Sequence, residues 1–172
     1  LPHNVDAERG LLGAVLVDNR AYERVSEYLR PEHFAMGQHG KIYDACSKLI
    51  ERGQIADPIT LNRYFEQDDS LSEVGGASYL AELASSAVTI INAGEYGRIV
   101  YDLHLKRELI AIGQEIVEEA YGGEVDESAT NQIEVAEQSL YDLATTGNFE
   151  GGFQSFKEAV MATIESANMA HQ

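Results

Sequence analysis

The chain has 172 residues, with 29 acidic and 12 basic side chains and a formal net charge of −17. This charge repels the phosphates of nucleic acids and argues against strong DNA binding by these residues alone. Hydrophobic residues make up 44% of the chain, enough for a packed core, but no apolar run approaches the length of a membrane span.

The first helix is predicted to follow Asn4 and to end at Val17. Asn4 is a good N-cap residue, and Glu8 stands in the first turn, where the helix dipole favours a carboxylate. Gly10 and Gly13 lower the helix propensity of this segment. We interpret the two glycines as points where a neighbouring helix packs closely.

Two further helices are predicted before residue 53. Asn19 is expected to cap the second, which ends near Leu29, and the third covers residues 38–52. Cys46 lies on the apolar face of the third helix, so we interpret it as a small core residue. A single cysteine excludes an internal disulfide and fits a reducing cytoplasm.

The clearest helix start in the chain is Asp57-Pro58, because aspartate is a good cap and proline suits the first helical position. Residues 71–76 are predicted to form a short extended piece that ends in a tight turn at its two glycines. A fifth helix is predicted next, with Leu80 and Leu83 facing inward.

The longest predicted helix runs from Asn92, an N-cap candidate, to Tyr121, where two glycines follow. Such a helix would span about 45 Å, which exceeds the cross-section of a small domain. One end must therefore leave the globular body or pack on something else. A further helix over residues 129–146 follows a short glycine-containing loop, which predicts an antiparallel helical hairpin.

The predicted fold class is all-α, with three parts. They are a compact helical head over residues 1–101, a helical hairpin over residues 102–146, and a flexible connector with a linker helix over residues 147–172. The net charge is concentrated late in the chain, since residues 108–172 contain 13 acidic side chains and a single lysine. We interpret this charge as solvated helix faces.

Two apolar faces are predicted to need a partner surface. The apolar face of the hairpin consists of Leu103, Ile110, Val117, Ile133 and Leu140. The docking face of the linker helix consists of Phe156, Val160, Ile164 and Ala167. A helix this short gains little stability from propensity, so its apolar face must pack on its own domain, another subunit or a further domain.

The residues predict no catalytic, cofactor-binding or metal-binding site. Gly40-Lys41 lacks both the upstream glycine and the following Ser or Thr of a phosphate-binding loop. No two histidines have the i, i+4 spacing of a helical zinc site, so we interpret His33 and His39 as structural or surface residues. By residue chemistry alone the chain is a non-catalytic helical interaction module.

A series of small motifs resembles the N-terminal region of DnaB-type replicative DNA helicases. Early in the chain these motifs are Pro2-His3-Asn4, Asp6-Ala7-Glu8, Leu12-Gly13-Ala14, Phe34, His39 and Ile42-Tyr43. Later ones are Asp57-Pro58-x-Thr60-Leu61, Leu71-x-x-Val74-Gly75-Gly76-x-x-Tyr79-Leu80-x-x-Leu83, Asn92, Tyr96, Ile99-Val100 and Arg107-Glu108-Leu109. The closing helix from Ser155 resembles the linker helix that precedes the motor domain in this family. Each motif is weak alone, and their order along the chain carries the resemblance.

The resemblance implies the N-terminal domain plus linker of a hexameric, ATP-driven helicase that acts at the bacterial replication fork in the cytoplasm. It implies that head and hairpin build a collar of paired subunits, with the apolar face of the hairpin at the subunit interface. The collar would bind primase, with a helicase loader as a further candidate partner. The linker helix would dock on a neighbouring subunit's motor domain. ATP, Mg and DNA would be bound only by that motor domain, outside these residues, and no membrane contact is implied.

Two other functions remain open on the residues. One is a stand-alone helical adaptor without a motor, and the other is the helicase-binding domain of a primase, which has a similar helical architecture. Pro2-His3-Asn4 favours the helicase over the primase. An independent enzyme would need a cluster of reactive side chains, which the sequence does not indicate.

Overall fold

The computed structural model describes residues 1–87, 89–122, 125, 127–147 and 161–169. These residues form helices and turns and contain no strand, which confirms the all-α prediction. The chain divides into two compact units, Leu1–Arg107 and Glu108–Gln172. The predicted division into head, hairpin and linker at residues 102 and 147 remains a prediction.

The helices follow one another along the chain with short connections. In the first unit they are α1 (Val5–Val17), α2 (Arg20–Glu23), α3 (Gly37–Glu51), α4 (Pro58–Glu66) and α5 (Gly76–Ser85). Short 3-10 helices cover Pro31–His33 and Leu71–Val74. The 33-residue α6 (Ile90–Gly122) contributes to both units, and α7 (Ala129–Gly147) belongs to the second, as do helical residues 161–169.

Local capping chemistry sets the starts of α1 and α4, as predicted. The Asn4 side chain accepts the backbone N–H of Ala7 at 3.0 Å. At α4 the Asp57 carboxylate accepts the N–H of Thr60 at 2.8 Å, and the Thr60 hydroxyl accepts the N–H of Asp57 at 2.9 Å. Pro58 then occupies the first helical position, where its missing N–H costs nothing.

The prediction for the second helix was wrong in length and in its cap. The α-helix covers only Arg20–Glu23, and turns follow it to residue 28. The Asn19 amide does not cap it but donates to the carbonyls of Val15 at 2.8 Å and Ala56 at 2.7 Å. It also accepts the N–H of Ala56 at 3.0 Å. The Asn19 side chain is therefore hydrogen-bonded to a residue distant in sequence and does not cap the helix as predicted.

Two other local predictions were wrong. The piece expected to be extended is the 3-10 helix Leu71–Val74, although the tight turn is present at Gly75, where φ is +103°. The long helix begins before its predicted cap, Asn92. The hydroxyl of Thr89 accepts the N–H of Asn92 at 3.3 Å, so Thr89 provides the side-chain cap.

The hydrophobic core lies in the first unit. Its largest fully buried apolar side chains are Tyr43, Leu11, Leu12, Leu29, Ile42, Leu61, Leu80 and Leu83. Cys46 is also fully buried, which confirms its prediction as a core residue. Burial raises the pKa of the Cys46 thiol to about 12, so the group stays protonated near neutral pH.

Close helix packing explains Gly13. A Cβ atom at this position would stand 2.1 Å from the carbonyl oxygen of Leu83 on α5. Gly97 has the same role on α6, where a Cβ atom would stand 2.4 Å from Cγ1 of Val25. The expectation that α1 has a close neighbour at Gly13 is therefore confirmed, and both contacts keep the first unit tightly packed.

Candidate interaction surface

A buried polar network stabilises the first unit. Glu8 and His39 are almost fully buried, and the carboxylate of Glu8 lies 2.9 Å from Nδ1 of His39. A carboxylate oxygen accepts, so Nδ1 of His39 donates to Glu8, and Nε2 of the same ring is hydrogen-bonded to the Tyr79 hydroxyl. The same carboxylate accepts the backbone N–H groups of Ala35 at 2.8 Å and Met36 at 3.3 Å.

The sequence did not predict this network. It assigned Glu8 only to the helix dipole and His39 only a general structural or surface role. The partners come from α1, α3 and α5, so no local spacing could have indicated their contact. The sequence contained one indication of it: the spacing of the apolar residues in α1 places Glu8, an acidic residue, on the buried face of that helix.

Arg107 joins α6 to the start of the chain. Its guanidinium donates to the carbonyls of Pro2 at 2.8 Å and of His33 at 2.9 Å. Beside it the rings of His33 and His104 lie 4.5 Å apart, and that of Tyr101 lies 5.0 Å from His33. Burial, with a smaller effect of His104, lowers the pKa of His33 to about 4, so His33 is neutral near pH 7.

Beyond Arg107, α6 has apolar side chains that its own chain covers only in part. Leu109, Ile116 and Val117 are 49%, 40% and 54% exposed, while Ile110 and Ile112 are half-buried. At about 100° per residue these side chains occupy roughly half of the helix circumference. A face this wide can contact more than one neighbouring helix.

The second helix of this unit has a narrower apolar face. Ile133 and Leu140 are one heptad apart on α7 and are 58% and 43% exposed. The side-chain amide of Gln132 donates to the carbonyl of Glu119 at 2.9 Å, which is one of the last four carbonyls of α6. Such carbonyls have no partner within their own helix, so Gln132 provides a cap between the two helices.

The predicted interface residues fall in both units. Leu103 is half-buried in the first unit and lines a shallow cavity of about 410 Å³ with Arg98 and Ile99. The remaining four, in the second unit, keep apolar area accessible to solvent; they are Ile110, Val117, Ile133 and Leu140. Their role at a subunit interface remains a prediction.

The predicted docking face of the linker helix is described only in part. Phe156 and Val160 lie outside the described residues. Within helical residues 161–169, Ile164 is 50% exposed and Ala167 is exposed as well. The docking role of this face remains a prediction.

The described residues also bear on metal and membrane binding. Among them, no group of three or more His, Cys, Asp or Glu side chains is arranged to hold a metal ion. None of the described helices combines the length and the apolar character that a membrane span requires.

Sequence comparison relates the chain to replicative helicases. The family model described as "DnaB-like helicase N terminal domain" matches residues 1–102. The replicative DNA helicase DnaB of Rickettsia conorii is 46% identical over 170 residues, which are 99% of this chain and 34% of that protein. The replicative DNA helicase DnaC of Bacillus subtilis is 32% identical, with 99% and 37% covered. The chain therefore spans about a third of the length of these relatives.

Solved structures show the same fold. The N-terminal domain of DnaB helicase from Mycobacterium tuberculosis superposes with a TM-score of 0.75 at 34% identity, covering 82% of this chain and 98% of that one. A structure of a DnaB-like replicative helicase, described with its interactions with primase, gives a TM-score of 0.66 at 25% identity. The match covers 92% of this chain and 35% of that helicase.

Proposed function

The chain belongs to the family of DnaB-like helicase N-terminal domains, and we propose that it is the collar domain of a hexameric, ATP-dependent replicative DNA helicase. In this role it serves ring assembly and primase docking during DNA replication. ATP and Mg binding, ATP hydrolysis and DNA binding belong to a motor domain outside residues 1–172. The protein acts at the replication fork in the bacterial cytoplasm.

The observation that carries the assembly role is the exposed apolar area on both helices of the second unit. Val117, Ile133 and Leu140 are each about half exposed. Covering the exposed half of such a side chain contributes about 1 kcal/mol. A contact that covers several of them on each of two subunits contributes a favourable free energy of association of several times this amount.

Charge makes this apolar contribution necessary. Residues 108–172 contain 13 acidic side chains and one lysine, Lys157, so two such units repel each other. The apolar faces of α6 and α7 must outweigh this repulsion. We therefore infer that subunits pair through the hairpin over residues 102–146, that residues 1–101 form the head, and that residues 147–172 link to the motor.

Two further contacts complete the proposal. The linker helix docks on a neighbouring motor domain through its apolar face, of which Ile164 and Ala167 are exposed. Primase binds the collar, in line with the DnaB-like helicase described with its interactions with primase. A helicase loader is a further candidate partner.

Native mass tests the assembly role. Light scattering of the 172-residue chain over a concentration series should give a dimer or a multiple of dimers. The double variant Ile133→Glu, Leu140→Glu should give a lower mass because each carboxylate would be buried unpaired at the contact. The matched control, Gln114→Glu with Asn131→Glu, adds the same charge at exposed polar positions of α6 and α7 and should leave the mass unchanged.

Two outcomes would contradict the assembly role: a monomer at every concentration, or an unchanged mass in the Ile133, Leu140 variant. Primase docking has its own test, a calorimetric titration of the cognate primase into the wild-type chain and both variants. Heat of binding is expected with the wild-type chain and the control. Its absence from the wild-type chain would exclude docking on these residues.

A further inference from the structure

Most basic side chains of this acidic chain already have partners. Ion pairs occupy Arg9, Arg20, Lys41, Lys48 and Lys106, while Arg30 and Arg107 donate to backbone carbonyls. Over residues 1–107 of the described chain, the basic side chains that form neither an ion pair nor a hydrogen bond are Arg24, Arg52, Arg63 and Arg98. In a chain with 29 acidic side chains, arginines without an ion-pair partner are unexpected, above all where two of them lie close together.

Arg52 and Arg63 line the same groove. It has a volume of about 630 Å³ and lies where the end of α3 meets α4. Leu49 and Tyr64 contribute apolar surface, and Ile55 on its edge is 67% exposed. No carboxylate is among the lining residues, so the groove combines two available guanidinium groups with apolar surface.

Hydrogen bonds on both sides fix the shape of this groove. Gly53, with φ of +76°, reverses the chain after α3, and the N–H of Gln54 returns to the Leu49 carbonyl at 2.9 Å. Hydrogen bonds between Asn19 and the backbone of Ala56 hold the loop. The groove is therefore preorganised, and a ligand would lose little binding free energy in ordering it.

We propose that this groove binds a short acidic peptide segment of a partner protein. A guanidinium binds a carboxylate through two parallel hydrogen bonds, and Arg52 and Arg63 supply two such groups. Apolar side chains of the same segment would pack on Leu49, Tyr64 and Ile55. The segment is short because the groove is confined to residues 49–67.

The charge of the chain selects a peptide over a nucleic acid. A net charge of −17 repels every phosphate of a polyanion that extends beyond the two arginines. A segment with two or three carboxylates requires only local complementarity, and its apolar side chains add burial that a phosphate backbone does not provide. The groove belongs to the first unit, whereas Ile133 and Leu140, which the assembly test replaces, belong to the second, so this inference does not depend on the assembly role.

Fluorescence anisotropy tests the proposal on the 172-residue chain. The probe is a labelled octapeptide of alternating aspartate and leucine. Saturable binding is expected, and the double variant Arg52→Ala, Arg63→Ala should weaken it at least about tenfold because two charge-assisted hydrogen-bonded pairs are lost. An octapeptide of alternating aspartate and serine should bind more weakly than the leucine probe.

The matched control is Arg24→Ala with Arg98→Ala. It removes the same charge at two exposed, equally unpaired arginines outside the groove, and binding should change by less than about twofold. All four arginines are exposed, so circular dichroism should give the same helix content for both variants and the wild-type chain.

Several results would overturn the proposal. They are failure of the probe to bind, equal weakening by both double variants, and tighter binding of a single-stranded oligonucleotide at the same arginines. A lower native mass in the Arg52, Arg63 variant alone would assign the groove to a second copy of this chain instead of a peptide. None of these results bears on the Ile133, Leu140 comparison, so the two proposals fail separately.

Discussion

The guanidinium of Arg107 donates to the backbone carbonyl of His33 at 2.9 Å, across 74 residues of sequence. The same group donates to the carbonyl of Pro2 at 2.8 Å. Arg107 is the last residue of the first unit, and α6 continues beyond it with exposed apolar side chains. Arg107 therefore fixes α6 to the first unit. Beyond this residue, the apolar side chains of α6 are only partly covered by the rest of the chain.

Replacing Arg107 with alanine should lower the free energy of unfolding by about 1–3 kcal/mol, because two carbonyls lose a charged donor. Urea unfolding followed by circular dichroism measures this change. The adjacent Lys106→Ala is the matched control: Lys106 makes only an exposed i, i+4 ion pair with Asp102 at 3.5 Å, and its loss should cost less than about 0.5 kcal/mol. Equal effects of the two substitutions would rule out the anchoring role of Arg107.

His33 should make stability depend on pH. Its pKa is lowered from 6.5 to about 4 in the folded chain, first by burial and then by His104. The unfolded chain therefore binds the proton more readily. The contribution of neutral His33 to the free energy of unfolding is fully present above pH 6.5 and is lost as the pH falls towards 4. The measurement is the urea midpoint of the wild-type chain and of His33→Asn between pH 4 and pH 7.

The stability advantage of the wild-type chain over His33→Asn should shrink as the pH falls through this window. The control is Ser72→Ala, because Ser72 is exposed and has no group that titrates between pH 4 and pH 7, so its replacement should leave the pH dependence unchanged. A difference between the wild-type chain and His33→Asn that does not vary with pH would show that His33 does not titrate in this way.

Loss of the Glu8 carboxylate should destabilise the first unit strongly. Glu8→Ala leaves the N–H groups of Ala35 and Met36 and the buried ring of His39 without their acceptor. The expected cost is about 3 kcal/mol, measured by urea unfolding. Asp6→Ala, an exposed acidic residue two positions earlier, should change stability by less than about 0.5 kcal/mol. Equal costs would mean that the network contributes little.

Two glycine substitutions should have opposite effects. In Gly13→Ala the new methyl group would stand 2.1 Å from the Leu83 carbonyl, so α1 and α5 must separate, at a cost of about 1–3 kcal/mol or more. At Gly113 no atom lies within 4 Å of the added Cβ, so Gly113→Ala should stabilise α6 by up to about 1 kcal/mol. Thermal unfolding of both variants measures the difference. Stabilisation by Gly13→Ala would contradict the close packing.

Much of the fold could be predicted from sequence because it depends on local chemistry. Asn4 and Asp57-Pro58 start their helices through contacts within three residues, so their sequence positions suffice. The apolar periodicity around Ile133 and Leu140 likewise predicted a single face on α7. The order of short motifs was enough to indicate the helicase family, and the match over residues 1–102 confirms it.

The tertiary structure decided what depends on distant partners. Asn19 is hydrogen-bonded to Ala56 instead of capping a helix, and Glu8 is hydrogen-bonded to His39. Both contacts form because packing places residues that are distant in sequence within hydrogen-bond distance. The groove between Arg52 and Arg63 likewise exists only once α3 and α4 are in place. Exposure follows the same rule: sequence periodicity marks an apolar face, but only packing determines whether the rest of the chain covers it.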